Sequence, residues 1–96
     1  MFKVELLAKA DEELAKSYDW YEDQQTGLGN RFYIEVSHYI SLIESNPYQF
    51  VIRYKNEFRS AALDIFPFLI IYWIEESTST VFVASVFHTR RSPQYY

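Results

Sequence analysis

The sequence predicts an α+β domain with the element order β-α-α-β-β-β, in which a helical hairpin packs on one face of a small, mainly antiparallel sheet. Two observations lead to this fold class. Apolar residues recur at helical spacing through the first half of the chain, and the second half consists of short apolar runs separated by polar turns. A chain of 96 residues can close one core but not two, so we expect a single domain over residues 1–96.

The first half predicts one strand and two helices. Residues 2–7 alternate between apolar and charged and predict a short strand. Helical spacing over residues 8–24 predicts the first helix, with acidic residues in its first turn, where the helix dipole favours them. The two glycines within residues 25–29 end that helix. Asn30 is the expected N-cap of the second helix, which Pro47 stops.

The second half predicts a sheet. Residues 50–54 form a possible short strand or extended arm, and strands are expected over residues 58–63, 69–75 and 80–88, with a polar turn before the last one. In the last two strands both faces are apolar, which is typical of central strands covered by helices on one side and by something else on the other. If nothing in the chain covers that second face, it marks a partner site.

Composition narrows the class of function. A net charge of -4 argues against a protein that binds nucleic acid through its overall field. With no cysteine, no paired metal-ligand spacing and no glycine-rich phosphate loop, the sequence predicts neither a metal site nor a cofactor. No amino-terminal signal is visible, and the longest apolar run is too short to span a bilayer, so we expect a cytoplasmic protein without a membrane partner.

The residues best suited to chemistry lie near the end of the last predicted strand. His88, Arg90 and Arg91 fall where that strand leaves the sheet, a position from which side chains reach a ligand without disturbing the core. The alternative is a solvated strand end. Arg59 lies on a central strand, where it needs an acid, a phosphate or water at the rim of the sheet. Its expected internal partner is Glu57 or an acid of the first helix.

The histidines and the terminal tyrosines suggest weaker hypotheses. A two-histidine, acid-base ribonuclease using His38 and His88 is conceivable because imidazole titrates near neutral pH, but their spacing gives it no support. The two tryptophans could stack on bases, although their periodic placement favours the core. Tyr95 and Tyr96 form an aromatic pair at the carboxyl end that is suited to docking on a partner.

Three ordered signatures carry a resemblance to a known family. They are Tyr18-x-x-Tyr21 leading to Gly27-Leu28-Gly29-x-x-Phe32, then Asn46-Pro47, then Arg59 followed by Phe66-Pro67-Phe68-Leu69-Ile70-Ile71-Tyr72 and Val86-Phe87-His88-x-Arg90-Arg91-x-Pro93. Together they resemble the RelE/ParE superfamily of bacterial toxins from type II toxin-antitoxin modules, and in particular its ParE-like, or plasmid-stabilisation, branch. The resemblance covers nearly the whole chain, and the fold that it implies agrees with the one predicted above.

The family divides by activity. RelE-like members cleave messenger RNA on the ribosome with basic residues on the sheet and a tyrosine near the carboxyl end, whereas ParE-like members poison DNA gyrase without that constellation. This chain has Leu69 and Thr89 where the RelE-like pattern has arginines, although Arg90 could replace the second one. Tyr95 falls near the family's tyrosine. The missing arginine and the acidic charge therefore favour the ParE-like branch.

The resemblance implies a growth-inhibiting toxin that binds an essential target such as DNA gyrase and is neutralised by a cognate antitoxin. Arg59, His88, Arg90 and Arg91 are then the candidate target contacts, expected at one end of the sheet. The first alternative is a ribosome-dependent mRNA endoribonuclease in which Arg59, Arg90, Arg91 and Tyr95 carry catalysis. The second is a degenerate member of a module that still binds its antitoxin but is no longer toxic.

Overall fold

The structure is a computed structural model that describes residues 1–90, apart from the side chain of Tyr54. Within that range the chain forms five strands and two α-helices. In chain order they are β1 (Lys3–Leu6), α1 (Ala8–Gln24), α2 (Leu28–Ser45), β2 (Val51–Tyr54), β3 (Phe58–Ala62), β4 (Phe68–Glu75) and β5 (Thr80–His88). Neither helix in this range is long and apolar enough to cross a membrane.

The strands form one sheet in the order β1-β5-β4-β3-β2. β1 pairs in parallel with β5, and the other neighbouring strands pair antiparallel. The predicted α+β class with a mainly antiparallel sheet is therefore confirmed. The stretch that the sequence left as a strand or an arm is the edge strand β2, so four strands follow the helices where the sequence predicted three.

The prediction for the start of the second helix was wrong. Gly27, not Asn30, occupies the N-cap position, with a left-handed φ of 90°. The physical reason is a carboxylate supplied by the first helix. Glu22 accepts hydrogen bonds from the backbone N–H groups of Gly27 (2.9 Å) and Gly29 (3.0 Å), so amides at the start of α2 already have a partner that a capping side chain would otherwise provide.

The two helices touch most closely at Gly29. This residue is buried, and a Cβ atom built on it would lie 2.6 Å from the carbonyl oxygen of Tyr18 and 3.0 Å from a carboxylate oxygen of Glu22. Only glycine allows the backbones of α1 and α2 to approach this far. The glycine pair that the sequence offered as a helix break therefore has two separate tasks, a left-handed turn at Gly27 and a close contact at Gly29.

Both helices pack against one face of the sheet and bury a core rich in aromatic rings. Phe32 of α2 lies with its ring centroid 4.7 Å from that of Phe68 and 5.4 Å from that of Phe66, and Tyr21 of α1 lies 4.9 Å from Phe66. Phe32, Ile70 and Val83 are fully buried. Burial of large side chains is the main source of stability in a domain of this size. This aromatic layer therefore fixes the sheet in position against the two helices.

A buried carboxylate joins α2 to the connection between β3 and β4. Glu35 accepts hydrogen bonds from three consecutive backbone N–H groups, those of Asp64 (3.0 Å), Ile65 (2.8 Å) and Phe66 (2.9 Å). A buried N–H group without a hydrogen-bond partner is costly. Glu35 supplies the acceptors for N–H groups of a connection that is not paired with a neighbouring strand.

A second carboxylate holds α1 to β5. Glu13 accepts hydrogen bonds from the hydroxyl of Ser85 (2.7 Å) and the backbone N–H of Val86 (3.0 Å). These residues follow an irregularity in the β4–β5 pairing, where Tyr72 opposes Val83 and its predecessor opposes Ser85. The extra residue interrupts the ladder and leaves a backbone N–H for the helix to bind.

Tyr72 lies at the centre of the core and predicts a specific alkaline response. It is fully buried, its hydroxyl donates a hydrogen bond to the carbonyl of Pro47 (2.6 Å), and burial raises its pKa to about 12. In the unfolded chain the pKa is about 10, so the neutral phenol favours the folded state. This contribution is complete below pH 10 and is lost as the pH rises through 12.

We therefore expect the free energy of unfolding of the wild type to fall more steeply between pH 10 and 12 than that of Tyr72→Phe, which has no group to ionise at this position. Urea unfolding measured at several pH values in this window compares the two proteins directly. The difference between them cancels the other tyrosines and the lysines, which titrate in both. Parallel curves for the two proteins would contradict the assignment.

Candidate functional site

The face of the sheet that points away from the helices is the strongest candidate for a binding surface. We call it the outer face and define it by six apolar residues of the three central strands: Phe58, Leu69, Ile71, Trp73, Phe82 and Phe87. Each is partly accessible, whereas their neighbours on β4 and β5 that face the helices are buried. The apolar second face expected from the sequence is thus present in the described part of the chain.

Three aromatic rings cross the outer face in a row, one from each central strand. Trp73 opposes Phe82 on β5, and their rings stack with centroids 5.2 Å apart. Phe58 on β3 meets Trp73 edge to face at 5.6 Å. Rings fixed by cross-strand neighbours form a rigid platform, since each one restricts the rotamers of the next. Such a platform can bind an apolar or aromatic side chain of a partner with little loss of conformational entropy.

Charged groups lie at the margins of this face. On β2, the guanidinium of Arg53 donates a hydrogen bond to the hydroxyl of Ser60 (2.7 Å). At the opposite edge Lys3 and Glu5 of β1 form an exposed ion pair at 3.0 Å. The arrangement is an apolar centre with a polar rim, which is the usual anatomy of a protein interface.

Arg59 is held by the backbone and not by an acid. Its guanidinium donates hydrogen bonds to the carbonyl oxygens of Phe50 (2.7 Å) and Tyr48 (3.2 Å) and lies over the Tyr48 ring, 5.4 Å from the centroid. The expectation of Glu57 or a helix-one acid as partner was therefore wrong. The reason is the 3-10 turn Pro47–Gln49, which with the following Phe50 brings two backbone carbonyls to the start of β3.

The hydroxyl of Tyr48 extends this cluster to the turn before β5. It donates a hydrogen bond to the carboxylate of Glu76 (2.5 Å), and this bond raises the pKa of Tyr48 above its ordinary value. Arg59 thus links β3 to the segment that follows α2, and Tyr48 links that segment to the turn before β5. These are the contacts of a structural residue.

His88 lies at the other end of the sheet from Arg59. Arg59 opposes Tyr72 and His88 opposes Phe68, four residues away along β4 and about 13 Å at the rise of a strand. The two residues therefore do not share one end of the sheet, as the sequence analysis expected. The imidazole of His88 meets the Phe68 ring edge to face at 4.9 Å, and its Nδ1 accepts a hydrogen bond from the backbone N–H of Arg90 (3.1 Å).

The end of β5 is exposed and basic, as the sequence predicted. Arg90 is exposed, and the preceding Thr89 donates hydrogen bonds from its N–H (2.8 Å) and its hydroxyl (3.1 Å) to the carbonyl of Pro67, which fixes the point where the strand leaves the sheet. Arg91, Tyr95 and Tyr96 lie outside the described residues. Of the four candidate target contacts, the structure thus places His88 and Arg90 together and Arg59 apart.

The two histidines line different clefts. His88 shares one with Ser17, Trp20 and Tyr21, of about 380 Å³. His38 is exposed on α2, with its ring 5.5 Å from that of Tyr39, and lines a separate cleft. This arrangement gives no support to a two-histidine acid-base site.

Three carboxylates that the sequence analysis did not single out organise the fold: Glu13, Glu22 and Glu35. Of the three, Glu35 is the one whose structural role the sequence indicates most clearly. It follows Phe32 by three residues, so a helical period places it on the apolar face of α2, where an acid must have a partner. Within the described residues all three bind backbone N–H groups: Glu22 at the start of α2, Glu35 between β3 and β4, and Glu13 on β5. Within the same residues, the second carboxylate oxygen of Glu13 is buried without a hydrogen-bond partner.

Comparisons with known proteins agree with this architecture. The structure superposes on a chromosomal ParDE toxin-antitoxin system from P. aeruginosa with a TM-score of 0.79 and 14% identity, covering 94% of this chain and 98% of that one. It superposes on the isolated E. coli RelE toxin with a TM-score of 0.73 and 18% identity, covering 99% of this chain and 92% of that one. At these identities the likeness shows the fold alone.

Sequence comparison shows the family. No curated protein sequence matches the chain significantly. The family described as ParE toxin of type II toxin-antitoxin system, parDE, matches residues 4–93, which include every strand and helix apart from the first residue of β1. The chain therefore belongs to the ParE toxin family of type II toxin-antitoxin systems.

Proposed function

We propose that this chain is a toxin that arrests growth by binding an essential target, DNA gyrase, without nuclease activity, and that a cognate antitoxin neutralises it. The observation that carries the proposal is the character of the outer face, which presents a row of aromatic rings and has Leu69 where the RelE-like pattern has an arginine. Such a surface is built for contact with a protein.

The position of Leu69 supports a binder over a nuclease. The RelE-like pattern has an arginine here, and in this chain Leu69 lies between Ala62 on β3 and Phe87 on β5, in an apolar cross-strand row. Cleavage of RNA develops negative charge on the phosphate, which fixed cations stabilise. Arg59, the nearest candidate on β3, is already engaged with two carbonyls on the helix side of the sheet.

The basic end of β5 supplies the polar part of the proposed contact. Arg90 is exposed next to His88 at the end of β5, and Arg91 follows it in the sequence. The chain has a net charge of -4, so a local group of positive charges stands out from the rest of its surface. Such a group orients a negatively charged target relative to the toxin. Arg59 takes a structural part in this proposal, and Arg90 with Arg91 takes the recognition part.

The test combines growth with two reconstituted assays. Expression of the chain without an antitoxin should arrest growth, and the purified protein should inhibit supercoiling by gyrase while leaving messenger RNA intact in a reconstituted translation reaction. Ribosome-dependent cuts at new 5′ ends of the message would assign the chain to the nuclease alternative. Normal growth on expression would assign it to the degenerate, non-toxic alternative.

The double variant Arg90→Ala/Arg91→Ala tests the basic end directly. We expect the concentration needed for half-inhibition of gyrase to rise by about tenfold or more, since truncating charged contacts at an interface has effects of this size. The urea midpoint should not change, because Arg90 is exposed. Arg31→Ala, which removes an exposed arginine on α2, is the matched control and should leave inhibition unchanged. Equal inhibition by all three proteins would remove the basic end from the proposal.

A further inference from the structure

A bulge in β5 decides which side chains near the end of this strand reach the outer face. In the pairing with β4, the partners of two consecutive β4 residues are Val83 and Ser85, so Ala84 is an extra residue on β5. Val83 and Val86 are both buried, although residues three apart on a regular strand face opposite sides of a sheet. The bulge therefore shifts the alternation of side chains along β5 by one residue.

This shift places Phe87 on the outer face and His88 on the helix side of the sheet. Phe87 opposes Leu69 in the apolar cross-strand row, and His88 shares a cleft with Ser17 of α1. Without the extra residue, the alternation would turn Phe87 towards the helices and His88 towards the outer face. Arg90 is tied to the same arrangement, because its backbone N–H donates a hydrogen bond to Nδ1 of His88 (3.1 Å). The composition of the proposed contact surface thus depends on the position of the bulge.

Glu13 of α1 contacts the two residues that follow the bulge. One carboxylate oxygen, Oε1, accepts hydrogen bonds from the hydroxyl of Ser85 (2.7 Å) and the backbone N–H of Val86 (3.0 Å). The other oxygen, Oε2, is buried and has no hydrogen-bond partner in the described part of the chain. A buried oxygen without a partner destabilises a fold. Stability alone therefore does not explain a carboxylate at this position, whereas its contacts with Ser85 and Val86 give it a task at the bulge.

We propose that Glu13 is a positioning residue for target recognition, which fixes the bulge at Ala84 and so holds Phe87 on the outer face and the basic end of β5 in place. The proposal rests on the function proposed above, because it assumes that this surface contacts the target. The carboxylate of Glu13 lies between α1 and β5, so it acts through the strand and not by contact with the target. A surface held in its binding arrangement before contact binds more tightly than one that must be ordered.

The experiment measures inhibition of gyrase supercoiling by Glu13→Ala and Glu13→Gln at equal concentrations of folded protein, determined by circular dichroism. In Glu13→Ala both hydrogen bonds to the bulge are lost, and the concentration for half-inhibition should rise by about tenfold. The amide oxygen of Glu13→Gln can still accept both hydrogen bonds, so this variant should inhibit like the wild type. Rescue by the glutamine variant separates positioning by an acceptor from an effect of charge.

Glu22→Ala is the matched control for a loss of stability. Glu22 is also a partly accessible carboxylate of α1 that accepts two hydrogen bonds, but from backbone N–H groups at the start of α2. Its replacement should lower the urea midpoint and leave inhibition by the folded protein unchanged. A purely structural role of Glu13 would give the same result for Glu13→Ala.

Nuclear Overhauser contacts between β4 and β5 report the position of the bulge directly. The contact between Val86 and its partner Ile70 should weaken in Glu13→Ala and persist in Glu13→Gln. Ser85→Ala removes only the hydroxyl donor and serves if Glu13→Ala does not fold; it should weaken inhibition in the same direction by a smaller factor. Full inhibition by the folded variants beside an active wild type would overturn the role of Glu13 alone. An inactive wild type would overturn the proposed function and this role together.

Discussion

Replacing Gly29 with alanine should lower the free energy of unfolding by about 3 kcal/mol, the upper end of the range for overpacking a close contact. The new methyl group would lie 2.6 Å from the carbonyl oxygen of Tyr18, which belongs to the backbone of α1 and cannot turn aside. The helices must separate, and the separation disturbs the hydrogen bonds from Gly27 and Gly29 to Glu22. Urea unfolding followed by circular dichroism measures the loss.

Gly27→Ala is the matched control, because the same change is made two residues away for a different reason. No atom lies within 4 Å of a Cβ at this position, so the cost arises only from the left-handed φ of 90° and should be about 1–2 kcal/mol. Gly29→Ala should be the more damaging of the two. The opposite order, or an unchanged midpoint for Gly29→Ala, would show that the close approach of α1 and α2 does not limit stability.

The second large effect is expected at Glu35. Glu35→Ala removes the acceptor for the N–H groups of Asp64, Ile65 and Phe66, and we expect it to destabilise the fold by about 3 kcal/mol, since three hydrogen bonds are lost and the Phe66 donor is left buried without a partner. Glu35→Gln keeps one carbonyl oxygen but places an amide N–H group against a donor, so an intermediate loss is expected. The free energy of unfolding in urea gives both values.

Hydrogen exchange gives a local check on the same variants. In Glu35→Ala the amides of Asp64, Ile65 and Phe66 should exchange faster relative to those of β4 than they do in the wild type, because only the former lose their acceptor. Glu57→Ala, an exposed glutamate in the turn between β2 and β3, should change neither stability nor exchange by a measurable amount. Uniformly faster exchange at all amides of Glu35→Ala would indicate global destabilisation, and not the local loss of the hydrogen bonds from these three amides.

Much of the architecture could be predicted because periodicity reports it directly. The first helix runs over Ala8–Gln24 and the last strand over Thr80–His88, as their spacing predicted. Apolar residues on both faces of β4 and β5 also predicted the outer face, since a central strand needs cover on two sides. These properties depend on residues that are close together in the chain, so the sequence shows them directly.

The site could be predicted only in part, because side-chain partners depend on contacts between distant segments. Arg59 clearly needed a partner, but its partners are the carbonyls of Tyr48 and Phe50, nine or more residues earlier in the chain, and nothing local to Arg59 identifies them. The separation of Arg59 from His88 follows from strand register, which a sequence specifies only through its pairing partners. The same limit hid the role of Glu22 as the partner of the amides at the start of α2.

The position of β5 in the sheet has a consequence for folding of the chain during its synthesis. β5 lies between β1 and β4, so the first strand that the ribosome makes has no neighbour in the sheet until the last described strand appears. Pairing across that sequence distance is slow, because the intervening chain must first be ordered. An incomplete nascent chain therefore presents neither the finished outer face nor the end of β5. The order of synthesis therefore delays the formation of the outer face and of the end of β5 until almost all of the described chain has been made.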